Sequence, residues 1–420
     1  MIQAFYSGIS GIRAHQDAID ITSDNLANIE SVGFRGYQAE FSSLFDKAKN
    51  TQTASSSVNS TVGVGAQINA TALDLSQGSL ANSDRNTDLA IVGDGWFAIE
   101  GAKERYYTRN GTFGFDSNRD LVTPEGMYVL GTIGNNIDTT NNILTQELSE
   151  IPLGDVTKQQ KLKLPDTLTY PAQPTTKIDF FGNLGTADAT RVISAKAIDA
   201  KGNDNKVRLA FTLDATQPPT GMLWDVTATV TSSDGTTVYS TTTGQVSFDE
   251  TGALVNSTLT SVDNNGTPIT INLGKDYSGV IAAANIPISG SSQSNGVEQG
   301  ELLGYNINQN GEIVAAFTNG RQSSIAQIAL FHFQNDQGLK RISGSLFQES
   351  SNSGKAFFFK DQNNNNILGA NILTNKLEMS NVKMETGLTE LIVYQRAYDA
   401  NAKSITTADQ MIQKALKMGA

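Results

Sequence analysis

The sequence predicts a mainly β protein with α-helical termini: nested β domains enclosed by N- and C-terminal helices that pair in a coiled-coil-like inner layer. Two observations predict the helical ends and one predicts the middle. Apolar residues recur at heptad spacing near both ends of the chain. Each stripe alone fits a helix packed on its own domain, but nothing helical lies between them to receive it. The long middle alternates short β-branched and aromatic runs with Gly, Asn and Asp turns.

Phe5, Ile12, Ile19 and Leu26 recur every seven residues, with Ile2 and Ile9 beside them. This stripe predicts an inner-core helix within residues 1–30, stopped by Asn28 and Gly33. Residues 31–71 read as a linker or extended arm. Its polar tract 46–65 runs from Asp46 through Ser57 into Val62-Gly-Val-Gly65. Residues 72–146 form the first part of an inner β domain, with strands expected in Leu89–Ile99 and Tyr106–Phe115. Residues 147–296 read as an inserted outer β domain, with strands in Val226–Val230 and Ile269–Leu273. Pro165, Pro171 and Pro174 mark one boundary region and the Ser/Gly stretch 289–296 another. Residues 297–376, with a strand in Ile325–Phe333, return to the inner domain.

Residues 377–420 predict the second inner-core helix. Met384, Leu391, Tyr398, Ile405 and Ile412 recur every seven, flanked by Leu388, Ala402 and Leu416. Ser380 or Asn381 is the expected N-cap, and Gly419 follows the end. The two helices are expected to pair with each other and with neighbouring copies of the chain. Isolated helices of this length are marginal in water, so both ends are expected to fold on assembly.

Composition narrows the function classes. A net charge of −12 opposes nucleic-acid binding. The chain has no cysteine, which excludes disulfide scaffolds and thiolate metal sites. No apolar run is long enough to span a membrane. The opening Met-Ile-Gln-Ala-Phe-Tyr lacks the pattern of a cleavable signal peptide, so export would need a dedicated route. No nucleophile elbow, phosphate-binding loop or zinc-helix motif is present, and no cofactor is expected. The two histidines, His15 in the first helix and His332 in an apolar strand, read as structural, and Asp94 reads as a turn residue. Asp361-Gln-Asn-Asn-Asn-Asn-Ile367 begins like a calcium loop. However, Asn366 stands where the turn glycine belongs and Ile372 where the bidentate Glu belongs.

Several segments, taken in order along the chain, form one set of motifs. They are Ser7-Gly-Ile-Ser-Gly-Ile-Arg-Ala14, Asp24-Asn-Leu-Ala-Asn28 and Val32-Gly-Phe34. Next come Thr87-Asp-Leu-Ala-Ile-Val-Gly-Asp-Gly-Trp-Phe97, Tyr107-Thr-Arg-Asn-Gly-Thr-Phe113 and Leu121-Val-Thr-Pro-Glu-Gly126. Ser380-Asn-Val382, Leu391-Ile-Val-Tyr-Gln-Arg-Ala-Tyr398, Asn401-Ala-Lys403 and Asp409-Gln-Met411 close the series. Together these segments resemble the flagellar rod and hook proteins; the resemblance covers roughly residues 1–130 and 297–420, and the insert points to the hook members.

That resemblance implies a non-enzymatic subunit of a hollow, bent extracellular tube that transmits motor torque, exported without a cleavable signal. The implied partners are many copies of the chain itself, the rod, the hook cap, the hook–filament junction proteins and the flagellar export gate, with no membrane insertion. Phe41-Ser-Ser-Leu-Phe45 resembles the element by which such substrates are read at that gate, with Phe41 and Phe45 as two rings on one side of a turn. Tract 46–65 resembles an extension of the distal rod protein that is linked to a stiffer tube. A distal rod subunit and a secreted adhesin are the alternatives.

Overall fold

The computed structural model describes residues 2–44, 47–48, 61–62, 65–101, 104–187 and 189–418. Among them there are two α-helices, α1 (Ile2–Ala27) and α2 (Met384–Met418), and every other long element is a strand. Asn28 ends α1: its side-chain Nδ2 and backbone N–H both donate to the carbonyl of Asp24. Among the described residues no side chain caps α2. Its first turn closes on the carbonyl of Lys383, and Ser380 bonds only the N–H of Val382. The Asn381 side chain is committed to Gly36, Asp74 and Ser76 instead, which corrects the expected N-cap. Gly419 lies outside the described residues.

The inner unit is one large, mostly antiparallel sheet, buried on both faces. The strand Trp96–Glu100 shows why. Its side chains alternate at period two. Phe97 and Ile99 enter one core with Leu89, Val129, Phe317 and Ile328. Trp96 and Ala98 enter a second core with Tyr107, Phe331 and Phe347. Strand Gly300–Ile307 and its neighbours through Ile328 complete this sheet after the insert. The chain therefore leaves the inner unit and comes back to it.

The outer unit has a single core. A five-stranded antiparallel meander from Arg191 to Ser257 packs on a second sheet that includes Lys177–Asn183 and Thr267–Asn272. Phe180, Phe211, Trp224, Val246, Ile269 and Val280 meet between them. The expected start of the insert at residue 147 does not match where this core begins. Leu162, Leu164, Leu168 and Tyr170 pack into the inner core, and strands Gln160–Lys161 and Thr169–Tyr170 pair with inner strands. Outer packing starts at Ile178. On the return, Val297 already packs in the inner core.

A shared turn closes many of these hairpins. Asp116, Asp199, Asp249, Asn308 and Asp361 each accept the backbone N–H groups two and four residues on. The residue three positions on is left-handed, at Arg119 (φ 61°), Gly202 (81°), Gly252 (85°), Gly311 (74°) and Asn364 (67°). This is a three-residue hairpin loop with an Asx turn inside it, and it accounts for much of the Asp, Asn and Gly usage. It also absorbs the calcium-like segment. The Asp361 carboxylate accepts from the N–H groups of Asn363 and Asn365, which holds it below the usual carboxylate range.

Residues 37–43 and 66–73 pair into an antiparallel ribbon that lies along α1. Residues 47–48 and 61–62 pair in the same sense further out. The rest of the 46–65 tract lies outside the described residues.

Candidate assembly surface

The helices α1 and α2 pair side by side with opposite chain directions. Leu26 lies against Gly387, His15 against Tyr394, and Gly8 against Ile405. The buried face of α1 carries small residues, Gly8, Gly11, Ala14, Ala18, Thr22 and Asn25, of which Gly8 and Gly11 lie directly against α2. Facing it, Gly387 and Ala408 are buried, and Leu391, Tyr394, Tyr398, Asn401, Ile405 and Ile412 are half-buried.

Of the large apolar residues expected to form the seam of α1, Leu26 meets Gly387, and the others stand beside the small-residue face. Ile9, Ile12, Ile19 and Leu26 are half-buried, and Phe5 is exposed. Nothing is described for the side chain of Ile2. On α2, Leu391, Tyr398, Ile405 and Ile412 are half-buried, Ile405 against Gly8 of α1, whereas Met384 (54% exposed), Leu388 (43%) and Leu416 (69%) are exposed. The reason is spacing. Helix axes approach only as closely as the side chains between them permit, so glycine and alanine occupy the contact and bulkier groups stand beside it. Tyr6, Ile392, Val393, Met411 and Met418 extend the apolar surface left uncovered on this helix pair.

Phe41 sits on the ribbon strand, not on a turn, and is 40% exposed. It packs on His15 at 5.3 Å and Tyr394 at 5.8 Å between ring centroids, so one aromatic cluster ties ribbon, α1 and α2 together. Burial lowers the His15 pKa. Phe45 lies outside the described residues.

The helix pair joins the β unit through a root that sequence reasoning did not find. Asn25 donates Nδ2 to the carbonyl of Tyr37 and accepts its N–H, at 2.6 and 2.9 Å. Gln337 makes the same reciprocal pair with Leu73, the cross-strand partner of Tyr37. The Asn381 amide accepts the N–H of Gly36 and donates to the carbonyls of Asp74 and Ser76. Three amide side chains thus act as short strand edges at the base of the ribbon.

Behind them, Glu378 is 1% exposed and pairs with Arg35 at 2.9 Å and Arg109 at 3.4 Å. It also accepts the N–H of Gly78. Arg109 donates further to the carbonyl of Gly93 and lies over the Trp96 ring. Burial, together with the adjacent Arg35, pushes the Arg109 pKa down to about 10. Gly33, at φ 68°, touches the backbone of Asn110 too closely for any side chain. Arg341 adds an outer clasp, ion-paired with Asp24 and stacked over Phe34 and Tyr37. The motifs at 24–28, 32–34, 87–97, 107–113 and 380–382 therefore converge on one junction.

His332 is buried and donates Nε2–H to the carbonyl of Leu368 at 2.7 Å, and burial lowers its pKa. Asp94 occupies a bend between Val92 and Trp96. Among the described residues no cluster of acidic or histidine side chains is arranged to hold a metal ion.

Known families match the chain segment by segment along this layout. Residues 5–35 match the flagella basal body rod protein family and 90–157 the D1 domain family of flagellar hook protein FlgE/F/G. Residues 163–336 match the flagellar basal body protein FlaE D2 domain and 374–418 the flagellar basal body rod FlgEFG C-terminal family. Four flagellar families thus tile the chain in order, from the first helix to the last.

The chain belongs to the flagellar hook and rod protein family.

Within that family, hook protein FlgE of Borreliella burgdorferi is 27% identical over the full length of both chains. FlgE of Escherichia coli is 27% identical, covering 97% of this chain and 98% of its own length. FlgE of Brucella suis is 28% identical, covering 97% and 96%. A solved family structure, Helicobacter pylori hook protein FlgE2, aligns over 71% of this chain and all of its own, at a TM-score of 0.49 and 17% identity.

Proposed function

We propose that this chain is the structural subunit of a bacterial flagellar hook, and that it polymerises into a hollow, bent tube that carries motor torque. The observation that carries this reading is the uneven completeness of the molecule. The outer unit closes its core within one chain, whereas the helix pair leaves Leu388, Ile392, Val393, Met411, Leu416 and Phe5 uncovered. Further copies would cover them, each buried large apolar side chain contributing about 1.5–3 kcal/mol. Heterologous contacts that do not close a ring generate a helical polymer. The terminal helices then form the inner wall, and the Thr- and Ser-rich outer unit forms the sliding exterior.

The role is non-catalytic: His332 and Asp361 serve packing and turns, and Glu378 binds the root. The rod, hook cap, hook–filament junction proteins and export gate are the partners, and the helical ends order fully on assembly. Export is read at Phe41 and Phe45, so Phe41→Ala with Phe45→Ala is expected to impair secretion. Normal secretion of that double variant would sink the export reading. Matches along the whole length of hook proteins, outer domain included, favour a hook over a distal rod subunit. Electron microscopy of a deletion strain tests this: a hook subunit leaves rods intact and removes filaments, while loss of the distal rod identifies the alternative.

A further inference from the structure

The seam between α1 and α2 is not uniform along its length. At the root, a Cβ built on Gly387 would meet only Leu26 Cδ1, at 3.8 Å, which is ordinary contact. Toward the free end the approach is much closer. A Cβ on Gly8 would lie 2.7 Å from Ile405 Cγ1, and one on Gly11 would lie 2.6 Å from Asn401 Oδ1. Asn401 is held in that position by its own helix, donating Nδ2 to the carbonyl of Ala397 at 2.9 Å. Ile405 follows Asn401 by one turn, as Gly11 follows Gly8, so two consecutive knobs of α2 fill two consecutive gaps of α1. The same number of residues separates Gly8 from Leu26 and Gly387 from Ile405. Two equal helical spans therefore join the root to this contact, and the helices can close there without bending.

We propose that Gly8 and Gly11 form a notch, filled by Ile405 and Asn401, that fixes the separation and rotation of the helix pair at its free end. The root residues hold the other end. Asn401 and Ile405 are positioning residues: they set how each copy presents Phe5, Met411 and Leu416. That consequence rests on the proposed polymer, while the notch itself does not. A helical glycine with no packing role would be improved by alanine, the better helix former, so the notch predicts the opposite sign at two of these three glycines. The Gly8 site is the more demanding, because Ile405 Cγ1 lies near its backbone, whereas the Asn401 amide can swing away at the loss of its bond to Ala397.

The test is amide hydrogen exchange on the assembled polymer, or on the soluble chain if no polymer forms. In Gly8→Ala, protection of residues 4–12 and 400–408 is expected to fall at least tenfold, with protection near Leu26 and Gly387 unchanged. Gly11→Ala is expected to act in the same direction, and Gly387→Ala to keep or raise protection. Ile405→Ala makes room for the new methyl, so Gly8→Ala with Ile405→Ala is expected to match Ile405→Ala alone. Equal or higher protection in Gly8→Ala overturns the notch, as does a double variant that remains as open as Gly8→Ala. Tube formation by the parent chain is scored separately, so failure of the hook reading is distinguishable from failure of the notch.

Discussion

The outer β unit and the terminal helix pair solve the burial problem in opposite ways. The outer unit pairs two sheets, and alternate residues such as Val207, Leu209 and Phe211 along one strand all reach 0% exposure. Its turns are closed by its own Asx side chains. The helix pair buries small residues in its seam and leaves much of its large apolar surface outside. A protein surface of that kind needs a neighbour. Sufficiency in one chain thus belongs to the outer unit, and dependence on other copies belongs to the ends.

The contrast can be broken at the junction. Glu378→Ala would leave Arg35 and Arg109 buried without a counter-charge, and loss of one partner of a buried pair costs about 3–5 kcal/mol. Denaturant unfolding should show that loss in the inner unit while the transition of the outer unit stays in place. Equal loss in both units would mean that they unfold together. Within the outer core, Ile269→Val is expected to cost about 1 kcal/mol, in that unit alone. A fragment of residues 175–296 should keep a cooperative transition of its own.

A smaller effect comes from His332. Burial holds its folded-state pKa below the unfolded value of 6.5, so the unfolded chain takes up the proton first as pH falls. Stability is complete above 6.5 and declines below it, down to the depressed pKa. His332→Gln, which can still donate to the carbonyl of Leu368, should flatten that decline in a pH series of melting curves. The smallest effect on the chain itself should come from Ile392→Ala on the exposed face of α2, within about 0.5 kcal/mol. The same substitution should raise the critical concentration for polymerisation by roughly tenfold, as expected for a side chain buried only between copies. A matching loss in the lone chain would show that α2 is already covered.

The heptads at both ends and the β-rich middle were legible in the sequence, because large apolar residues mark their period. The seam of α1 was not. Glycine and alanine carry little hydrophobic signal, so Gly8, Gly11, Ala14 and Ala18 read as gaps between Ile9, Ile12 and Ile19. Asn381 looked like a cap because it stands where a cap would stand, but its partners Gly36 and Asp74 lie more than 300 residues away in the chain. Glu378 was hidden in the same way, since Arg109 lies 269 residues from it. The outer core begins well after residue 147. Two-residue strands such as Gln160–Lys161 leave no periodic trace, and only their pairing with inner strands assigns them.

The Asx-closed hairpins bear on how fast an exported chain can take shape at its destination. Each of the five loops is specified within five consecutive residues and needs nothing distant to begin. Hairpins form in about 1–10 μs, and chains rich in local contacts fold sooner than those that must first close long loops. With no cysteines to pair, no slow oxidation step stands in the way. The β units can therefore start folding at several points at once, leaving the helix pair as the part that waits for company.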